Sequence, residues 1–310
     1  MTNVNYIFLL SLTIIAIGYV LKKLNIISEE NGKTVAKVVF NVTLPALILN
    51  VIISIDITPS LGLITLISII YCIPILLLAF ILFKNYPREI KGLIFMAIIG
   101  FNVGHFAYPL IEGIWNEEGL KYIAMFDIGN ALVIFVICYI LGLIYSPKND
   151  FQDKKELVKT ILLKLLKSAP LMSYFIALIL NFLNIQFPLF VSDLLDILSR
   201  ANMALTLLLL GIFLNFKFEK TQWKNIIKVL VIRYSFGLVI GLILFFTLPF
   251  DQLYRGILAI ALILPIGLAI IPFTVEFEYS EQKFAGTVAN LTIVISFILV
   301  WLMILLLGFG

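Results

Sequence analysis

Few residues in this chain could do chemistry. Among 310 residues there is one histidine, His105, and two cysteines, Cys72 and Cys138. A lone histidine excludes a multi-histidine metal centre, and no HExxH pair occurs. The cysteines form no CxxC pair and sit in apolar runs, so neither a disulfide framework nor a metal site is read from them. What remains is a set of helix breakers and small polar residues inside apolar stretches. One stretch runs Gly100-Phe101-Asn102-Val103-Gly104-His105-Phe106-Ala107-Tyr108-Pro109. A second runs Leu264-Pro265-Ile266-Gly267-Leu268-Ala269-Ile270-Ile271-Pro272, and a third is Asn41-Val42-Thr43-Leu44-Pro45. Proline removes a backbone donor and clashes with the preceding turn. A helix broken there exposes free N–H groups and a positive dipole end, which suit a carboxylate. The chemistry on offer is binding, and no catalytic set is visible.

Two readings stand for most of these residues. The prolines are either ordinary kinks or a matched pair of breaks. Asn41, Thr43 and Asn202 either line a cavity or make interhelical hydrogen bonds, worth about 0.6–2 kcal/mol each. His105 either titrates near neutral pH or packs as a hydrogen-bonded ring. Asp127, in Phe126-Asp127-Ile128-Gly129-Asn130, is the most informative ionisable residue. A carboxylate at bilayer depth costs roughly 2.5–3.5 kcal/mol on insertion scales. It is expected to carry a proton, hold an ion or brace a broken helix, unless it lies shallow enough to reach water. Asn130 shares its helical face. Arg200 is expected near the outer mouth, attracting anions or pairing with Asp193 or Asp196.

The elements that must position these residues are membrane helices. The chain is 62% apolar and 13% charged, against roughly 45–50% and 25% in soluble domains. With a mean hydropathy of +1.12, this excludes an ordinary soluble enzyme, a disordered protein and a nucleic-acid binder. About 20 apolar residues span a bilayer core. Ten stretches qualify: 6–24, 34–54, 61–83, 90–110, 120–145, 160–183, 198–215, 223–248, 254–275 and 285–307. The first is not expected to be a cleaved signal peptide, because residues 1–5 carry no Lys or Arg. Of the 22 basic residues, 19 fall in alternate loops and at the span ends next to them. Only Lys121, Arg200 and Arg255 fall on the opposite side. The positive-inside rule then puts both termini outside and the loop around Phe151 in the cytoplasm.

The two halves resemble each other. Lys91-Gly92-Leu93 matches Arg255-Gly256-Ile257, Leu24-Asn25-Ile26 matches Leu183-Asn184-Ile185, and Lys121-Tyr122 matches Lys283-Phe284. The three matches share a nearly constant spacing, close to half the chain. This predicts a first five-helix repeat over 1–147, a short cytoplasmic linker over 148–159 and a second repeat over 160–310. Five is odd, so the second repeat inserts inverted, a transporter architecture with its site at midplane helix breaks. The expected fold is an all-α polytopic membrane protein of ten transmembrane helices in two inverted five-helix repeats. Broken helices 4 and 9 are expected to cross at midplane prolines.

These stretches also resemble a known family. Gly18-Tyr19-Val20-Leu21-Lys22-Lys23-Leu24, Ile27-Ser28-Glu29-Glu30 and Phe40-Asn41-Val42-Thr43-Leu44-Pro45-Ala46-Leu47 are similar to the auxin efflux carrier family. So are Asn102-Val103-Gly104, Tyr108-Pro109-Leu110 and Asp127-Ile128-Gly129-Asn130. The resemblance runs through all ten spans. It implies a secondary carrier of small organic anions, such as malate, malonate or auxin-like indole acids, working by elevator-type alternating access. It implies Asn102 and Pro109 as crossover residues with Pro265 or Pro272 as partners, and Asn41, Thr43 and Pro45 as a second-span break. Gly104, His105, Asn202 and Gly267 join these as candidate substrate-binding residues, and Asp127 and Asn130 as coupling or support. No cofactor, metal or nucleic-acid partner is expected; proton or sodium coupling stays open. The cell membrane is the expected location, and a homodimer is a further implication. A sodium-coupled symporter of the bile-acid type or a cation/proton antiporter would share this plan.

Overall fold

A computed structural model describes residues 4–147, 154–215 and 222–308, and every element among them is helical. Helix α1 (Val4–Lys23) ends on two lysines, which suit the negative end of its dipole. Asn25 then turns left-handed (φ 56°), with Ile26 N–H donating to the Leu21 carbonyl at 3.0 Å, a Schellman closure. Helix α2 (Glu29–Val38) starts on Ser28, whose hydroxyl accepts from Asn31 N–H at 3.1 Å. A π turn (Val39–Thr43) leads into α3 (Leu44–Ser54). The wide turn absorbs the donor that Pro45 lacks, so the second span is widened and not interrupted: Glu29–Ser54 counts as one 26-residue span.

Helices α4 (Pro59–Ile70) and α5 (Cys72–Leu82) form the next span. Helix α6 (Arg88–Ile98) stops short, and Gly100 reverses the backbone at φ 76°. Only glycine takes that conformation without strain, and a Cβ there would also press on Ile134 at 2.8 Å. The chain resumes through a π turn (Val103–Ala107) into α7 (Tyr108–Leu132), which is kinked at Asn116. Another π turn (Val133–Cys138) leads into α8 (Tyr139–Tyr145). Helices α9 (Lys154–Lys167) and α10 (Ala169–Phe182) meet at a 76° bend. The expected linker 148–159 is therefore already helical from Lys154, and 148–153 lie outside the described residues. Helix α10 closes on left-handed Asn184 (φ 53°), with Ile185 N–H on the Leu180 carbonyl at 2.9 Å. The cap at Asn25 thus recurs at its counterpart in the second half.

Helix α11 (Leu189–Phe213) starts well before the expected residue 198, because Pro188 caps it and an Asp196–Arg200 pair at 2.7 Å carries its charges. Helices α12 (Trp223–Thr247), α13 (Gln252–Ala261), α14 (Ile270–Glu276) and α15 (Gln282–Leu307) complete the chain. Among the described residues, seven helical stretches are long and apolar enough to cross a membrane, or eight if bent α9–α10 counts as one. Large apolar side chains such as Leu77, Ile81, Val231 and Phe246 face outward, as lipid contact requires. Helices α1 and α11 touch backbone to backbone. A Cβ on Gly18 would collide with the Leu208 carbonyl, and one on Gly211 with that of Ile15. Small residues permit such approach in lipid.

Candidate functional site

The breaks after α6 and α13 meet in the interior. Asn102 N–H donates to the Pro265 carbonyl at 2.9 Å, joining residues far apart in sequence. Gly267 is buried beside the Phe101 carbonyl, which its Cβ would approach to 3.7 Å. The fourth-span break has no proline within it. Pro109 lies buried well past Asn102, where the π turn Val103–Ala107 runs on into α7 and takes up the donor it lacks, as at Pro45. Pro272 is exposed, inside α14. The crossing expected at matched prolines is therefore made by Gly100–Asn102 on one side and Pro265 on the other.

Each break has a polar brace. Asn130 Oδ1 accepts from Phe101 N–H at 2.8 Å, and its Nδ2 donates to the Phe101 carbonyl at 2.9 Å and to Asp127 Oδ1 at 2.8 Å. On the other side Thr292 Oγ1 accepts from Ile266 N–H at 3.3 Å, and Ser296 Oγ donates to the Ile263 carbonyl at 2.7 Å. Asn130 and Thr292 are separated along the chain by the same interval as Lys121 and Lys283. Asp127 is 8% exposed, which removes the reading that it reaches water. Its Oδ2 accepts from the Tyr174 hydroxyl at 2.6 Å, and Tyr174 pairs with the Tyr108 hydroxyl at 2.5 Å. The carboxylate thus braces the break through Asn130 and ties it to α10.

Arg233 is the residue that sequence reasoning missed. It stood among the cytoplasmic charges because Lys224 and Lys228 precede it. The structure buries it completely. One guanidinium nitrogen donates to the Ala97 and Ile98 carbonyls at 3.4 and 2.8 Å. The other donates to Gly100, Leu264 and Pro265 at 2.9, 2.9 and 3.1 Å. The group also lies 4.5 Å over the Phe101 ring. Its depth in an apolar span was the available signal. The basic count on that side becomes 18.

The other candidates divide. Thr43 Oγ1 donates to Asn202 Oδ1 at 3.0 Å, both buried, and Asn202 Nδ2 has no partner among the described residues. Asn102 Oδ1 accepts from His105 N–H at 3.2 Å, while its buried Nδ2 is likewise unpartnered. His105 is half-buried and stacked on Phe40, ring centroids 6.4 Å apart. Gly104 rests against Leu44. Asn41 does not join them: it is exposed, and its amide donates back to the Lys37 carbonyl at 2.8 Å. No cluster of three metal-ligating side chains occurs among the described residues.

A cavity of about 310 Å³ opens between α3, α7 and α11, with Asn50, Ser54, Glu112, Glu117, Asp196 and Arg200 in its wall. Leu47 and Ser199 also line it, about one turn from Thr43 and Asn202 on the same helices. Asn181 donates to the Ile52 and Ile55 carbonyls at 2.9 and 2.7 Å, so the end of α10 lies at this cavity's end of α3. The start of α10, and α9 beyond it, lie at the opposite end. There Lys164 pairs with Glu276 and sits 4.2 Å over the Tyr139 ring, and Tyr139 donates to Glu276 at 2.7 Å.

Comparison with known proteins supplies the family. The family model described as "Membrane transport protein" matches residues 7–304. An uncharacterized transporter of Methanocaldococcus jannaschii is 26% identical over 219 residues, covering 67% of this chain and 68% of that protein. Another, from Methanothermobacter thermautotrophicus, is 28% identical over 214 residues, 67% of each.

Proposed function

The chain belongs to the membrane transport protein family, the auxin-efflux-carrier type its motifs resemble, and from that premise we propose a secondary carrier of small organic anions. In this reading ten helices form two inverted five-helix repeats, and the crossing breaks move as one body past α1, α3 and α11. The recurring Asn25 and Asn184 caps, the Asn130 and Thr292 braces and the Thr43–Asn202 pair support the repeat. The observation that carries the proposal is the Asn102–Pro265 bond, which brings both breaks to one point beside an unpartnered amide. Asn102 caps the helix that starts there, so a carboxylate beside it meets a side-chain donor and the positive end of a dipole.

The cavity wall refines the substrate. Glu117 and Asp196 against one arginine, itself paired to Asp196, leave the wall acidic, which repels a dianion more than a monoanion. Monocarboxylates are therefore favoured over malate. The basic residues on one side support placing both termini outside the cell membrane. The test is counterflow in proteoliposomes with labelled malate and a labelled indole monocarboxylate, beside Asn102→Ala. Saturable exchange of the monoacid, reduced at least about tenfold in the variant, is expected, because the lost donor acts on a group with few others. If folded protein exchanges neither acid, the substrate class is wrong. If exchange survives Asn102→Ala unchanged, the site lies elsewhere.

A further inference from the structure

We infer that Arg233 is a tethered cation that occupies the carbonyl nest of the crossing, the place an alkali ion would otherwise fill, and so frees the carrier from sodium. This rests on the crossing described above as the moving centre.

The argument starts from unpaired backbone. A helix ends with carbonyls that have no partner within it, and its C-terminus behaves as roughly half a negative charge. Helix α6 ends at this point, at Ile98, and the second side is the non-helical stretch that follows α13, which ends at Ala261. Five carbonyl oxygens from residues 97–100 and 264–265 converge within 3.4 Å of two nitrogens. Converging carbonyl oxygens beside the negative end of α6 describe a cation site. Here a guanidinium on α12 fills it. Arginine keeps its charge and spreads five donors in a fixed plane, so one group ties both breaks together. No carboxylate pairs with it among the described residues; its counter-charge is the backbone itself. The site also lacks symmetry. Tyr71 precedes Arg233 by the interval that separates Asn130 from Thr292, and it packs against the same Phe101 ring, centroids 5.6 Å apart. The nest therefore has one cation, delivered from one side.

An ion that is part of the chain cannot dissociate, so it cannot couple a gradient. The wild-type carrier is expected to run equally in sodium, potassium or choline. Removing the tether creates a vacancy that a free cation of the same shape should fill. The test uses Arg233→Ala and Arg233→Lys, purified in detergent and melted in choline chloride with millimolar guanidinium, sodium or potassium added. Guanidinium should raise the melting temperature of Arg233→Ala saturably and leave wild type unmoved, as binding to the folded state requires. Arg233→Lys should melt between the two. Exchange should fall at least about tenfold in Arg233→Ala and recover with guanidinium, since a misplaced crossing loses its geometry. If Arg233→Ala melts like wild type, or no cation stabilises it, the tethered-cation role fails. If Arg233→Ala does not fold, Arg233→Lys against the neutral Arg233→Gln decides: a higher melting temperature for the lysine variant supports the role, and equal melting overturns it. Sodium-dependent exchange by wild type would overturn the proposal too. Melting needs no substrate, so failure here is separable from a wrong substrate class.

Discussion

Asp127 shows how a single buried charge is held without a cation. Both its oxygens accept hydrogen bonds, from Asn130 and from Tyr174, as an ionised carboxylate requires. Tyr174 spends its proton on Asp127, so the Tyr108 hydroxyl donates to Tyr174. The chain is directional, and the cost of breaking it depends on where it is cut. Tyr174→Phe leaves one carboxylate oxygen bare and should cost about 1–3 kcal/mol. Tyr108→Phe removes only a donor to a neutral hydroxyl and should cost under about 1.5 kcal/mol. Melting curves of the two variants in one detergent check the order; equal losses would mean the chain does not end on a charge. At this scale the sequence was legible where polarity contrasts with apolar neighbours, as at Asn102, Asp127 and Asn130. It was illegible at Arg233, because a charge a few turns beyond two lysines looks like one more end-of-span charge. Asn41 misled for the opposite reason. Its side chain reaches its own helix, and nothing in the sequence says which way it turns.

Breaks and caps, the element scale, were only half encoded by proline. Pro45 and Pro109 each follow a widened turn, and the decisive reversal fell on Gly100 at φ 76°. A left-handed non-glycine residue costs about 1–2 kcal/mol, and the contact with Ile134 adds to it. Gly100→Ala should therefore destabilise by at least about 1–2 kcal/mol and abolish exchange, because the strain sits where the breaks touch. Asn25→Ala and Asn184→Ala meet a similar backbone penalty at loops remote from the crossing. They should lower stability by about 1 kcal/mol each and leave exchange intact. Stability and counterflow measured on the three together separate a local cap from a working hinge.

On the whole molecule, the cavity is open at one end while Lys164, Glu276 and Tyr139 hold the other. An ion pair this exposed contributes at most about 1 kcal/mol, so it biases the balance between the two ends by up to about fivefold. Glu276→Gln should shift that balance away from the open cavity. Asn50→Cys in the cavity wall reports it through labelling by an impermeant maleimide, with buried Cys72 and Cys138 replaced by serine. Labelling should slow in the Glu276→Gln background; an unchanged rate would mean the tie does not set the resting state. The all-helical, membrane-spanning character was readable because lipid imposes length and hydropathy. Which end stands open was not, since it depends on small differences between nearly equal packings.

Among the described residues the buried charges are Arg233 and Asp127, both at the crossing, and together they cancel. A body whose buried charges cancel feels little electrical force at its centre when empty and acquires the substrate's charge there when loaded. Each charge carried through the field is worth about 2.3 kcal/mol per 100 mV. In the proposed cycle voltage therefore pulls only on the loaded stroke, and the empty return is electrically silent. With the cell interior negative, such a carrier rectifies: it expels a monoanion readily and resists bringing one in. Capacitive currents from reconstituted membranes should be absent without substrate and appear on its addition. In Arg233→Ala they should appear without substrate, because the uncancelled carboxylate then makes the empty body a voltage sensor.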